Sequence, residues 1–208
     1  MQKLTVPITK TFVSKFSKII DAGLCSGLGQ PKPGEMCVEA ALCFARGWDH
    51  GDKPQCVHPV YREFAIRLND ARWSSNAARA KGMKRFAIAQ LGTIDKFDSE
   101  QFATKMAMYV INVLVPRAFR EVAKLEKLAK HSADLVVAAQ AMEDSKDLKT
   151  GQEAAKKGKI STSAAAYAAA ATAARDQYLS DFAEYAVQVS IEIGTPGSKF
   201  LYLVEEAV

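Results

Sequence analysis

Residues 36–45, Met-Cys-Val-Glu-Ala-Ala-Leu-Cys-Phe-Ala (MCVEAALCFA), are apolar on every side of a helical wheel except at Glu39. A segment without a polar face is a helix buried all round, so the rest of the chain must supply helices to cover it. Upstream, Gly27-Leu-Gly-Gln-Pro-Lys-Pro-Gly34 puts a glycine-rich loop directly before this helix, the order used by phosphate-cradling loops. Gly29 and Gly34 have the right separation, but Glu35 and Met36 stand where such a loop needs Lys and Ser or Thr, so an ATPase is excluded. The dinucleotide pattern fails as well, because Lys32 occupies its third glycine position and no strand precedes it.

Helical spacing recurs outward from this element, and no sustained two-residue alternation marks a strand. Phe12, Phe16, Ile19 and Ile20 form a first stripe. The second helix is expected from near Glu35 to Gly47, the third from Pro59, and the fourth from a Ser74 or Ser75 cap to Gly92. Asp98 with Gln101 reads as a capping box for a long fifth helix that Pro116 should kink. The charged stretch 143–159 reads as a mobile link. A last helix is expected over 161–193, opening on nine alanines in the eleven residues 164–174 and carrying the stripe Tyr167, Ala171, Ala174, Tyr178, Phe182, Tyr185 and Val189. The expected architecture is therefore mainly α: a helical bundle-like core over 1–131 and a C-terminal helical arm over 132–208 that packs back on the core or joins a second copy into a homo-oligomer.

The 208 residues suffice for a hydrophobic core, and no apolar run approaches the ~20 residues of a membrane span. The N-terminus lacks an apolar signal core, so a cytoplasmic location without membrane partners is expected, with Cys25, Cys37, Cys43 and Cys56 as free thiols or ligands. The net charge of +5 lies wholly in residues 1–104, where fifteen Lys and Arg face ten Asp and Glu, and this favours an anionic partner there.

Three features bear on chemistry. Glu39 is a carboxylate in an apolar helix, costly unless it is paired or functional. Asp49, His50, Asp52, Cys56 and His58 crowd a loop of potential metal ligands, but the spacing is not a zinc finger's, and Cys37 and Cys43 lie about 120° apart around their helix. No metal or cofactor is expected. Finally, no acid stands between Asp70 and Asp95, where Arg72, Arg79, Lys81, Lys84 and Arg85 accompany Trp73 and a Ser-Ser-Asn helix start. A helix N-terminus, arginines and a tryptophan are parts that hold a phosphate and stack a base.

The segments GEMCVEAALC (34–43), HGDKPQCVHP (50–59), LNDARWSSNAARAKG (68–82) and AIAQLGT (87–93) resemble a family of small uncharacterised proteins scattered through phage and bacterial genomes. The likeness covers about residues 34–93 and, more loosely, DFAE to LYL near the end. It carries over no functional residue. It implies a phage or mobile-element setting, in which a small protein acts on host machinery or host signals.

The expected function is thus non-catalytic binding of an anionic nucleotide-like small molecule, in its sharpest form a phage sponge for a host immune nucleotide. Arg72, Arg79, Lys81, Lys84 and Arg85 would supply charge, Trp73 would stack, and Glu39, Asn69 and Asp70 would fix ribose or base edges. The alternatives are a phosphodiesterase-type hydrolase using Glu39, Asp49, His50, Asp52 and His58, and nucleic-acid binding through the basic helix.

Overall fold

The computed structural model describes residues 7–95, 97–124, 132–157 and 174–205. These residues are mainly helical and contain no strand, only an isolated bridge between Gly29 and Met36. No helix among them is long and apolar enough to cross a membrane. The chain forms two compact units, residues 1–102 with 179–208 and residues 103–178. The boundary expected at 131/132 falls inside the second unit.

The first unit holds α1 (Lys10–Asp21), α2 (Val38–Arg46), α3 (Pro59–Asn69) and α4 (Asn76–Ala89), with the later part of α9 (Ala174–Glu192) and a 3-10 helix (Pro196–Leu203). Helix α2 is buried along almost its whole length, as its all-round apolar pattern requires. It starts later than Glu35 because residues before it are spent on the Gly29–Met36 bridge and on Cys37, whose Sγ accepts the Ala40 N–H at 3.4 Å. It ends at Gly47, left-handed at φ 71°, a conformation that costs a residue with a Cβ about 1 kcal/mol or more. The core of this unit closes on aromatic contacts, Tyr61 stacking on Phe86 at 5.6 Å and Phe64 meeting Phe182 edge-on at 5.1 Å. The Tyr61 hydroxyl, deep in this core, is hydrogen-bonded to Ser190, whose own hydroxyl donates to Ala186 O at 2.6 Å.

The C-terminal segment is pinned to the end of α4. A Cβ on Gly197 would stand 2.1 Å from Ile88 O, so the 3-10 helix approaches backbone to backbone. Thr195 Oγ1 also donates to Ala89 O at 2.8 Å, satisfying a carbonyl that the helix end leaves open.

In the second unit, α6 (Val115–Ala123), α7 (Ser132–Glu143) and α8 (Leu148–Lys157) bury Phe119, Val122, Leu135, Ala139, Met142 and Ala154 together. Helix α5 (Ser99–Tyr109) starts where Asp98 accepts the Gln101 N–H at 2.9 Å. The break expected at Pro116 is taken up just before it by a π turn, Val110–Leu114. Within that turn Asn112 donates to the carbonyls of Met142, Glu143 and Ser145, closing the end of α7. The stretch 143–159 differs from expectation: most of it is α8, started by Asp147 accepting the Thr150 N–H at 2.8 Å and held by the burial of Ala154. Of the long last helix, 174–192 is observed; Tyr167 and Ala171 of its stripe lie outside the described residues, as does the side chain of Ala174.

Candidate functional site

The glycine loop is tied to the end of α3. Asn69 Oδ1 accepts the Val38 N–H at 3.1 Å and so caps α2, while its amide donates to Cys25 O at 2.8 Å. Asp70 Oδ1 accepts the Gly27 N–H at 2.7 Å. The backbone N–H groups of Gly27 and Val38, donors of the kind that a phosphate would need, are therefore spent on the fold, and the loop serves as the lead-in to α2. Its carboxylate and amide partners are legible as polar residues, but their targets lie 31 to 44 residues away.

Arg79 and Trp73 also turn inward. Arg79 is 6% exposed; its Nε donates to Asn69 O at 2.7 Å, and its Nη1 donates to Leu24 O and Asn76 Oδ1, each at 2.8 Å. Trp73 is 7% exposed, with its indole N–H on Leu68 O at 2.9 Å. Its ring lies across Gly82, where an added Cβ would come within 2.4 Å of it. A ring packed against helix backbone presents no face for a base, so the stacking role expected of Trp73 does not fit this arrangement. Arg72, one residue earlier, is exposed.

The remaining three candidates do converge. Lys81, Lys84 and Arg85 lie within one turn of α4 and line an open cleft of about 610 Å³, with Asp21 from the end of α1 and Val204 and Glu205 from the C-terminal segment. Ala77 and Ala80 line it as well. Lys84 Nζ pairs with Asp21 at 2.7 Å. Arg85 Nε meets Glu184 Oε2 at 3.0 Å, and its Nη1 reaches Glu205 Oε1 at 3.3 Å. The Lys84 and Arg85 side chains are 25% and 29% exposed, so each of these pairs contributes only about 0–1 kcal/mol and can be exchanged. The carboxylates are what sequence reasoning missed: Asp21, Glu184 and Glu205 lie 63, 99 and 120 positions from their partners, and no local pattern links them.

Glu39 sits apart from this cleft. It is completely buried, and among the described residues neither carboxyl oxygen has a hydrogen-bond partner. Burial pushes its pKa up to about 8, while the Gln90 amide and the Arg62 guanidinium pull it down. Gln90 lies close enough to act on the carboxyl, yet its amide atoms are not aligned in a hydrogen bond. A proton on Glu39 at neutral pH is the physical consequence, which removes the cost of a bare buried charge. This suits a neutral core polar group; it does not suit an edge reader for a ligand in the α4 cleft.

The residues of the hydrolase reading are not gathered at one point. Asp49, His50 and Asp52 line a second, smaller cleft of about 410 Å³ beside Cys43 and Trp48. His50 Nε2 is 3.0 Å from Gly29 O, and Asp52 pairs with Arg62 at 3.0 Å. His58 caps α3, its Nδ1 accepting the Val60 N–H at 3.3 Å. Burial raises the Cys43 thiol to about 12 and also raises Cys56, which leaves neither as a ready thiolate. Among the described residues no three His, Cys, Asp or Glu side chains are grouped to hold a metal ion. No family model, curated protein or solved structure matches the chain.

Proposed function

We propose that the chain binds a small anionic molecule, nucleotide-like in size and charge, in the cleft between α4, the end of α1 and the C-terminal segment, and that it holds this molecule without turning it over. One observation carries the reading: Lys81, Lys84 and Arg85 reach a common cleft of about 610 Å³, within the range of small-molecule sites. The acids that share the cleft, Asp21 and Glu205, are ion-paired to the same cations and exposed, so they give way to a better anion at little cost. In the phage setting that the sequence resemblance implies, the ligand is a host nucleotide signal and the protein its sponge.

Four other residues expected at the ligand have a different role in this reading. Asn69, Asp70, Trp73 and Arg79 fix the corner from which α4 starts, and so aim its cationic turn.

The test is calorimetric titration of parent and Lys84→Ala with a nucleoside diphosphate and a cyclic dinucleotide. Losing one charged hydrogen-bond partner at a partly exposed site is expected to weaken binding about tenfold, or ~1.4 kcal/mol. Equal affinity in the two proteins, or no binding of either compound by the parent, overturns the proposal.

A further inference from the structure

We infer that the smaller cleft, beside the end of α2, is a second binding site, and that it takes a free amino acid with an apolar or aromatic side chain in its zwitterionic form. The inference is independent of the α4 cleft.

The lining of this cleft comes from the loop that follows α2 and from Cys43 near the end of that helix. Three alternate residues pin the loop to the fold. The Trp48 N–H closes on Cys43 O at 3.0 Å, and Asp52 pairs with Arg62 at 3.0 Å. His50 Nε2 donates to Gly29 O at 3.0 Å, since a carbonyl oxygen only accepts. The two charged residues beside these anchors are left over. Among the described residues neither Asp49 nor Lys53 has an ion-pair or side-chain hydrogen-bond partner, although both line the cleft. The pinned backbone thus brings two unspent charges of opposite sign to one cleft before a ligand arrives, and such preorganisation lowers the cost of binding.

Charge balance decides the ligand class. Arg62 neutralises Asp52, which leaves one negative and one positive side chain on the lining. Arg46 stands 6.0 Å from the centre of the Trp48 ring, but its guanidinium is committed to the Phe12 ring at 3.5 Å and to Pro7 O at 3.1 Å. A simple cation is drawn to Asp49 and repelled by Lys53, and a simple anion meets the reverse. A zwitterion is attracted at both. Its ammonium pairs with Asp49 and its carboxylate with Lys53, while the half-buried Trp48 indole and the buried Cys43 give its side chain an apolar wall. The volume of about 410 Å³ lies at the small end of small-molecule sites, as an occupant of this size requires.

The experiment is an NMR titration of the full chain with L-phenylalanine, read at the two indole N–H signals. The Trp48 signal is expected to move, while that of Trp73, bonded to Leu68 O, stays in place. L-phenylalanine methyl ester, which keeps only the ammonium, and N-acetyl-L-phenylalanine, which keeps only the carboxylate, should each bind about fivefold more weakly, and glycine about tenfold more weakly. Asp49→Asn and Lys53→Gln, both at exposed positions, should each weaken L-phenylalanine about fivefold. In Asp49→Asn the N-acetyl compound should bind as well as the free amino acid, because the partner of the ammonium is gone. Lys84→Ala, in the other cleft, should change the affinity less than about 1.5-fold. No shift at Trp48 up to about 10 mM L-phenylalanine overturns the site. Parent affinities for the ester or the N-acetyl compound equal to that for L-phenylalanine, or unchanged binding in Asp49→Asn and Lys53→Gln, overturn the selection of a zwitterion. Loss of binding in Lys84→Ala overturns the assignment to this cleft.

Discussion

Arg79→Ala is expected to destabilise the first unit by about 3–5 kcal/mol, the largest effect of any single substitution considered for this chain. The guanidinium is buried and joins three separate segments through Leu24 O, Asn69 O and Asn76 Oδ1. Truncation removes the donor from the two buried carbonyls, Leu24 O and Asn69 O, and leaves a hole beside them. For a protein of this size the melting temperature should fall by roughly 10 °C. Arg79→Lys should recover little, since one ammonium cannot donate in both directions from a single position. Thermal unfolding followed by circular dichroism decides the matter: a midpoint within about 2 °C of the parent's would mean that Arg79 is not a structural residue and would return it to the ligand.

The second large effect is on pH dependence. Glu39 has a folded pKa of about 8, above the 4.5 of an ordinary carboxyl, because the folded chain strips water from it. The folded state therefore holds the proton more tightly than the unfolded chain. The stability that this contributes is fully present below about pH 4.5 and is lost as the pH rises through about 8. Glu39→Gln, which keeps the shape and cannot ionise, should flatten the fall. Relative to the parent, the variant should gain a few kcal/mol of stability between pH 4.5 and pH 9, with the other titrating groups cancelling in the difference. Denaturant melts across this range give the comparison. Parallel curves for the two proteins would show that Glu39 is not protonated in the fold.

The local signals of the sequence were sufficient for most helix ends. Ser75, Asp98 and Gly47 act where residue chemistry places them, because a cap is satisfied by atoms within four residues. The charged run 143–159 reads as a link in the sequence, because helix formation there depends on Asp147 capping and on Ala154 reaching a core built by α6 and α7. The site was legible by half. The cationic turn of α4 stood out by its lack of acids, and Lys81, Lys84 and Arg85 do share a cleft. What the sequence did not distinguish was direction. Arg79 lies two residues from Lys81, but only a three-dimensional corner of backbone carbonyls turns one inward while the other stays exposed. The same holds for Trp73, whose neighbour Gly82 becomes meaningful only once α4 has formed beneath the ring.

That tryptophan has a spectroscopic use. The two indoles of the chain occupy contrasting surroundings: Trp73 is sealed against Gly82, and Trp48 is half-buried on the wall of the smaller cleft. With Trp48 replaced by phenylalanine, the remaining emission comes from a single fluorophore in a dry environment, hydrogen-bonded to Leu68 and resting on the helix that carries Lys81, Lys84 and Arg85. The protein thus contains its own optical gauge of α4. Ligand titrations read through it separate simple occupation of the cleft, which leaves the emission maximum in place, from a displacement of the helix, which shifts that maximum to the red.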